Sequence, residues 1–253
     1  MPSALTVRLV GGPTAVLEYA GLHLLTDPTF DPPGDHPVGR RTLVKTIGPA
    51  VTPEELGRVD AVLLSHDQHP DNLDDLGRKF LDKVPLVLGT AGSAERLGGA
   101  ARELPLWQGI TVGDVRITGV PAQHGPMGSE YLTGEVRGFV LSGPGLPRVY
   151  VSGDNASLAV VREIADHAGP IDIAVLFGGH GRSPLMDAYL TLSADQMAQA
   201  AEILDVTTVV PIHVDGWGHF TEDPAAIPAA FAKRGLSDRL WLPRPGEVAI
   251  LAE

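Results

Sequence analysis

Residues 60–74, DAVLLSHDQHPDNLD, begin as an apolar run and end in a cluster of imidazoles and carboxylates. A short apolar run followed by turn residues is typical of a buried strand, so we predict a strand over 60–66. The polar turn then leads into a predicted helix over 73–81, with Asp71 or Asn72 as its candidate cap. Two imidazoles beside carboxylates suit a divalent cation such as zinc. The stretch therefore predicts a metal site at the end of a strand.

Three further candidate ligands stand where a predicted strand has just ended. His124 follows VPAQ, Asp154 ends VYVSGD and His213 ends VVPIH. In layered α/β folds, loops gather side chains at strand ends onto a rigid base, and ligands bind there. A lone histidine is most often an ordinary surface or core residue. Four ligand-type side chains that each follow an apolar strand form a pattern, so we expect these three and His66 to share one site.

The order of the predicted elements changes along the chain. Strands dominate the first half, apart from an irregular stretch over 28–53, and alternating strands and helices follow. Two sheets with helices outside them satisfy this order, and evenly spread glycine and proline favour a single domain over 1–253. The predicted strands are 5–10, 15–20, 22–27, 60–66, 85–89, 109–122, 138–143, 148–154, 171–179, 207–213, 240–242 and 248–251, and the predicted helices are 73–81, 93–97, 156–167, 193–204 and 224–234.

The composition excludes several classes of protein. The chain has 253 residues and no cysteine, which rules out disulfides, a cysteine nucleophile, an iron–sulfur cluster and a thiolate zinc site. Its 31 acidic and 19 basic residues give a net charge of −12, which repels phosphate backbones and anionic lipid. No apolar run approaches the roughly 20 residues of a membrane span, and the start lacks the features of a signal peptide. We expect a cytoplasmic protein that binds a small-molecule substrate, with neither a nucleic-acid polymer nor a membrane as its partner.

Taken in order, the motifs resemble the metallo-β-lactamase fold over nearly the whole chain. They are a strand followed by SHxxHxDxLD, a lone histidine after a strand, a strand ending in SGD, and a strand ending in histidine. TDPTF after the third strand and VPAQHG are similar to the branch of bacterial hydrolases that includes the ascorbate-6-phosphate lactonases. The resemblance implies a four-layer αββα sandwich, in which two mixed β-sheets are flanked by helices.

The resemblance also implies a divalent metal centre with two sites that share one carboxylate. Zinc is the expected metal, as one ion or two, and Mn or Fe is also compatible. The first site is implied to hold His66, His69 and His124. The second site is implied to hold Asp71 and His213, which are also the expected catalytic residues. Asp154 is implied to belong to both sites.

The first motif departs from the family's pattern, which is His-x-His-x-Asp-His. Residues 69–72 match its second half, with Asn72 in place of the last histidine. His66 stands three residues before His69 instead of two, which puts Gln68 in the slot expected for a histidine. Loss of one imidazole is expected to weaken the second site, where Asn72 is a weak ligand or none. Gln68 is either a ligand or a supporting residue.

Several other residues are candidates for supporting roles, each with an ordinary alternative. Asp27 would accept a hydrogen bond from a ligand histidine, or form a turn before Pro28. His180 would contact the substrate, or be an exposed loop residue. The remaining candidates are His219 and Trp217, expected to line the pocket, and Arg40, Arg41 and Lys45, which would bind an anionic substrate or stay solvated.

Two hypotheses of different class follow. In the first, the chain is a hydrolase: a bound ion lowers the pKa of water to about 7, and Asp71 orients the resulting hydroxide. The preferred substrate is a small ester, lactone or related carbonyl compound, and the alternative is a phosphodiesterase acting on a small nucleotide or phosphoester. In the second hypothesis, the chain is a non-hydrolytic metal-binding or redox member of the same fold. A homo-oligomer is compatible with both.

Overall fold

The described residues form fifteen strands and six α-helices. The computed structural model describes residues 5–39, 41–183 and 186–252. The strands are β1 (Leu5–Gly11), β2 (Thr14–Tyr19), β3 (Leu22–Thr26), β4 (Gly34–Val38), β5 (Arg41–Lys45), β6 (Ala61–Leu63), β7 (Val87–Gly89), β8 (Ala101–Glu103), β9 (Gly109–Val112), β10 (Val115–Pro121), β11 (Arg137–Ser142), β12 (Val149–Val151), β13 (Ile173–Phe177), β14 (Thr208–Ile212) and β15 (Val248–Ala252). The helices are α1 (Asp75–Phe80), α2 (Ala91–Leu97), α3 (Glu130–Thr133), α4 (Leu158–His167), α5 (Ala194–Leu204) and α6 (Ala226–Lys233).

Two large mixed sheets hold most of these strands. The seven-stranded sheet has the order β15-β1-β2-β3-β6-β7-β8, antiparallel as far as β3 and parallel beyond it. The six-stranded sheet has the order β14-β13-β12-β11-β10-β9, with β14, β13 and β12 parallel and the others antiparallel. In each sheet, the parallel strands bring their carboxyl ends to one edge, where the loops carry the candidate ligands.

Three buried apolar clusters mark the interfaces between four layers. One lies between the sheets and joins Leu17 of the first sheet to Phe139 of the second. Another joins the six-stranded sheet to α5 and α6 through residues such as Met197 and Phe231. A third packs Phe80 of α1 with the seven-stranded sheet. The predicted αββα sandwich is confirmed. Within the described ranges, no helix is both long and apolar enough to cross a lipid bilayer.

The stretch 28–53 contains a β-hairpin, where the sequence predicted irregular structure. Strands β4 and β5 pair antiparallel and form a small sheet of their own. The hairpin attaches to the C-terminal half of the chain, because Gly218 N donates to Val44 O at 2.8 Å. The strand pattern was hidden because β4 reads GDHPV, with a proline inside the strand and few apolar residues.

Other differences from the prediction concern element boundaries. Residues 109–122 form two strands, β9 and β10, because the chain turns at Gly113 with φ 57°. Residues 240–242 are not a strand, and Leu240 forms an isolated bridge with Val209 instead. Strand β8 and the single-turn helix α3 were not predicted. Helix α5 follows the prediction closely: Ser193 caps it and Gln196 completes the capping box.

Gly77 in α1 provides a test of how tightly this layer packs. A Cβ at position 77 would overlap the carbonyl oxygen of Pro28, which is backbone and cannot turn aside. We expect Gly77→Ala to lower the free energy of unfolding by about 1–3 kcal/mol, as overpacking commonly does. The matched control is Gly92→Ala in α2, where a Cβ would meet only the flexible end of Arg96. Urea denaturation would measure both variants, and equal stabilities would contradict this account of the packing.

Candidate metal centre

Three histidines form the first group of candidate ligands. His66 and His69 lie in the loop after β6, and His124 lies in the loop after β10. The Nε2 atoms of His66 and His124 lie 3.0 Å and 3.3 Å from His69 Nδ1. One ring nitrogen from each residue lies within 4.8 Å of the other two. Three imidazoles at this spacing can hold a single ion.

The second group, beside the first, consists of Asp71, Asp154 and His213, whose ligand-type atoms also lie within 4.8 Å of one another. His213 Nε2 lies 3.4 Å from Asp154 Oδ1 and 3.6 Å from Asp71 Oδ2. The other oxygen of Asp154 lies 3.6 Å from His124 Nδ1, so this carboxylate borders both groups. The structure thus brings together the six residues that the sequence singled out, and their binding of an ion stays a prediction.

Burial lowers the pKa of two imidazoles of the first group, those of His66 and His69. Burial, with His69 nearby, lowers the pKa of His66 to about 3. Burial, with His124 nearby, lowers the pKa of His69 to about 4. A neutral imidazole has the lone pair that a metal ion requires, so these rings are ready to act as ligands near pH 7.

The charge balance of the second group differs. Burial alone would lower the pKa of His213, but the carboxylates of Asp154 and Asp71 raise it to about 10. Burial alone would raise the pKa of Asp71, but His219 and His213 hold it well below its usual range. Two anionic carboxylates therefore share one protonated imidazole. A divalent ion bound here would displace that proton and take over the neutralising charge.

Several polar atoms of the second group are buried without a hydrogen-bond partner. They include Asp71 Oδ1, Asp154 Oδ2 and both ring nitrogens of His213. Buried polar groups are normally satisfied, because each unpaired one costs about 1–3 kcal/mol. A cation would satisfy these atoms, and a donor set of nitrogen and oxygen suits Zn²⁺, Mn²⁺ or Fe²⁺. The residues present therefore fit a divalent metal centre.

Asn72 lies between two buried carboxylates. Its Nδ2 donates to Asp27 Oδ2 at 3.0 Å and to Asp154 Oδ1 at 3.1 Å. The cap of α1 is Asp74, whose side chain accepts from the backbone of the first turn. The interpretation of Asn72 or Asp71 as the helix cap is therefore wrong. Asn72 instead orients the carboxylate that borders both ligand groups.

Asp27 reaches the first group through Ser65. It accepts from Ser65 N at 2.6 Å and from Ser65 Oγ at 2.5 Å, and the same hydroxyl lies 3.0 Å from His66 Nδ1. The hydroxyl proton goes to Asp27, so His66 Nδ1 must donate, which leaves Nε2 of that ring free for a metal. The hydrogen bond expected directly between Asp27 and a ligand histidine is thus relayed by a serine. Burial raises the pKa of Asp27 to about 7.

Lys45 and Trp217 are buried beside each other at the hairpin. Lys45 is 4% exposed, and its Nζ lies 2.9 Å from Asp74 Oδ2. The ring of Trp217 lies beside it, with 5.5 Å between Nζ and the ring centroid. An anionic substrate cannot pair with Lys45, because its charge is already neutralised inside the protein, so that prediction is wrong. Trp217 is buried, and within the described chain it is absent from the lining of the cavity.

Gln68 and His180 lie outside both ligand groups. Gln68 Oε1 accepts from Asp67 N at 3.2 Å, and its amide packs against Gly134. The ring of His180 stacks on Tyr189 with 3.5 Å between the centroids. Neither residue belongs to the cavity lining in the part of the chain that the structure describes. A role for either residue beside the metal or the substrate stays a prediction.

The two ligand groups face a cavity that opens to solvent. Apolar side chains and two guanidinium groups form much of its wall. Arg182 was missed at the sequence level, although it closely follows β13 and the predicted His180. Arg40 lies outside the described residues. The wall includes Val38, Arg41 and Leu43 from the hairpin, Arg182 and Leu190 from the segment after β13, and His219. The Nε2 atom of His219 lies 3.2 Å from Asp71 Oδ2.

Comparison with known proteins decides the family. The family model described as a beta-lactamase superfamily domain matches residues 23–214, which contain all six candidate ligands. The chain belongs to the beta-lactamase superfamily. It is 30% identical over 215 residues to a UPF0173 metal-dependent hydrolase from Rubrobacter xylanophilus, covering 78% of this chain and 82% of that protein. It is 27% identical over 200 residues to a similarly named protein from Pyrococcus furiosus, covering 77% and 83%.

These relatives place the chain among the metal-dependent hydrolases of the superfamily. A solved structure, the isothiocyanate hydrolase from Delia radicum gut bacteria, superposes with a TM-score of 0.85 at 22% identity, covering 98% of this chain and all of that one. The metallo-β-lactamase fold predicted from the ordered motifs is therefore confirmed. The resemblance to the lactonase branch stays a prediction.

Proposed function

We propose that this hydrolase uses zinc to cleave a small ester, lactone or related carbonyl compound. The observation that carries the proposal is the pair of ligand groups joined by Asp154 at a cavity that opens to solvent, where a small molecule can reach them. The ligand groups draw on loops of both sheets, which also favours residues 1–253 acting as one domain.

The roles of the side chains follow from their placement. When bound, a divalent ion would lower the pKa of a coordinated water and polarise the carbonyl under attack. Asp71 has an unpaired oxygen, Oδ1, that would accept a hydrogen bond from the attacking water and aim it. His213 would fix the relative positions of the Asp71 and Asp154 carboxylates, since its Nε2 lies within 3.6 Å of both. Asp154 would balance the positive charge of both sites.

Arg41 favours a substrate that carries a negative charge. It lines the cavity close enough to lower the pKa of His69, to which burial and His124 contribute more. Among the described residues, Arg41 pairs with no acidic side chain. Arg182 adds a second guanidinium to the wall. Arg182 already pairs with Asp187 at 2.6 Å, so a carboxylate or phosphate on the substrate would pair with Arg41. A small phosphodiester is accordingly the second candidate substrate, while the net charge of −12 disfavours a nucleic-acid polymer.

The function can be tested with the protein as purified and after removal of metal by a chelator. Zn²⁺, Mn²⁺ or Fe²⁺ would be restored separately, and each form assayed on an acidic lactone, an aryl ester, a p-nitrophenyl phosphodiester and an isothiocyanate. We expect hydrolysis of a carbonyl substrate that disappears with the metal and returns with zinc. Activity on the phosphodiester alone would favour the second candidate. A coloured, iron-loaded protein without hydrolytic activity would overturn the proposal in favour of a redox role.

Arg41→Ala tests the preference for an anionic substrate. We expect KM for the acidic lactone to rise about 10-fold, which corresponds to the loss of one charged hydrogen bond, while kcat stays unchanged. KM for a neutral lactone should not move. The control is Arg162→Ala, whose guanidinium is exposed on α4 and bonds its own helix backbone. An equal rise in KM for both lactones would show that Arg41 shapes the cavity without recognising charge.

A further inference from the structure

The second ligand group lacks the imidazole expected at position 72, and Asn72 does not replace it. The amide nitrogen of Asn72 donates to Asp27 and Asp154, so it faces carboxylates rather than a cation. Without another donor, the group offers His213, Asp71 and a carboxylate that also borders the first group. That is fewer dedicated ligands than the three imidazoles of the first group.

His219 lies where a further ligand is needed. Its Nε2 is 3.2 Å from Asp71 Oδ2, and the same oxygen is 3.6 Å from His213 Nε2. Zinc bonds of about 2.0–2.2 Å place neighbouring tetrahedral ligands about 3.3–3.6 Å apart. Asp71 Oδ2 therefore stands between the two imidazoles, at distances that suit neighbouring ligands of one ion. His219 is not among the three residues, Asp71, Asp154 and His213, whose ligand atoms all lie within 4.8 Å of one another.

Backbone contacts hold His219 in this position. Gly218 N donates to Val44 O of the hairpin at 2.8 Å, and His219 O accepts from Arg182 N at 3.1 Å. Gly181 leaves room for the ring, since a Cβ there would lie 3.2 Å from His219 Cδ2. The loop is thus fixed on both sides of the imidazole, as expected for a preorganised ligand.

We propose that His219 is a ligand of the second metal site, together with Asp71, Asp154 and His213. It would supply, from the loop after β14, the imidazole that position 72 lacks. Two carboxylates and two imidazoles make a donor set that suits Zn²⁺, Mn²⁺ or Fe²⁺. The proposal rests on the proposed function only in requiring a divalent ion, and it needs no particular substrate.

The competing role for His219 is contact with the substrate, because its ring lines the cavity and its side chain is 16% exposed. In that role, removal of the imidazole would slow turnover and leave metal binding unchanged. As a ligand, the same removal would weaken metal binding before any substrate is added. A metal titration therefore separates the two roles.

The experiment is a calorimetric titration of the metal-stripped protein with Zn²⁺, repeated by equilibrium dialysis with metal analysis. We expect two unequal steps for the unsubstituted protein. In His219→Ala and His219→Gln, the second step should weaken at least about 10-fold and the first should stay unchanged. The control is His167→Ala, which removes an exposed imidazole that bonds Glu163 O in α4 and should alter neither step.

Three results would overturn the assignment. They are an unchanged second step in both His219 variants, a joint loss of both steps in both variants, and a single step in the unsubstituted protein. Thermal unfolding of the metal-free variants would show whether the Gln variant, which keeps much of the side-chain volume, is folded. Because the titration contains no substrate, failure of the substrate panel would refute the proposed function and leave this assignment standing.

Discussion

Asp154→Asn is expected to lower kcat/KM by about 10³-fold or more, whereas Asn72→Ala should lower it about 10-fold. Asp154 borders both ligand groups, with one oxygen 3.4 Å from His213 Nε2 and the other 3.6 Å from His124 Nδ1. Asparagine has nearly the same shape but no charge, so the loss would come from the missing negative charge. Asn72→Ala removes only a neutral donor that orients Asp154.

Steady-state kinetics with the best substrate of the panel would provide the two ratios, and metal analysis would accompany each variant. The larger loss of kcat/KM expected for Asp154→Asn depends on Asp154 serving both sites. Equal losses in the two variants would argue against a shared carboxylate. Retention of full metal content by Asp154→Asn would show that its charge acts on the substrate rather than on the ions.

His69→Ala is expected to abolish metal binding at the first site, and His66→Ala to do the same. His69 Nδ1 lies within 3.3 Å of the Nε2 atoms of both other rings, so it is central to the group. Removal of one of three imidazoles leaves two, too few donors for tight binding of zinc. We expect affinity to fall well over 100-fold, beyond the effect of losing an outer hydrogen bond.

Elemental analysis of each purified variant, together with zinc titration after chelation, would measure this loss. His167→Ala again supplies a control with one imidazole fewer and an intact site. Metal content equal to that of the unsubstituted protein in both ligand variants would mean that the motif has been misread. Loss in His69→Ala alone would restrict the first group to His69 and His124.

The sequence predicted that the candidate ligands would lie together, because each follows a strand with a strong local signal. DAVLLSH and VVPIH are apolar runs that end in histidine, and parallel strands must bring such ends to one edge. The prediction of four layers followed from the same apolar runs, since strands this apolar have to be covered on both faces. The local sequence pattern was sufficient to predict an element wherever the burial of its side chains and the residues of its turns indicated the same structure.

Long-range contacts set the limits of that prediction. Asn72 reads locally as a helix cap, yet its amide bonds Asp27 and Asp154, which are 45 and 82 residues away. Lys45 reads as a free surface charge, yet it is buried against Asp74. The hairpin carries little apolar periodicity and takes its place by pairing with a distant loop. No window of neighbouring residues contains this information.

The hairpin of β4 and β5 lines the cavity without supplying a candidate ligand. It contributes Val38, Arg41 and Leu43 to the cavity wall, and it contains none of the six candidate ligands. Exchange of its cavity-facing side chains would therefore change which molecules enter while leaving the metal-binding residues untouched. Lys45 would have to be kept, because its pairing with Asp74 ties the hairpin to the helix beside the ligands. New substrate specificities could therefore evolve on the hairpin, or be grafted onto it in the laboratory, while the six candidate ligands stay the same.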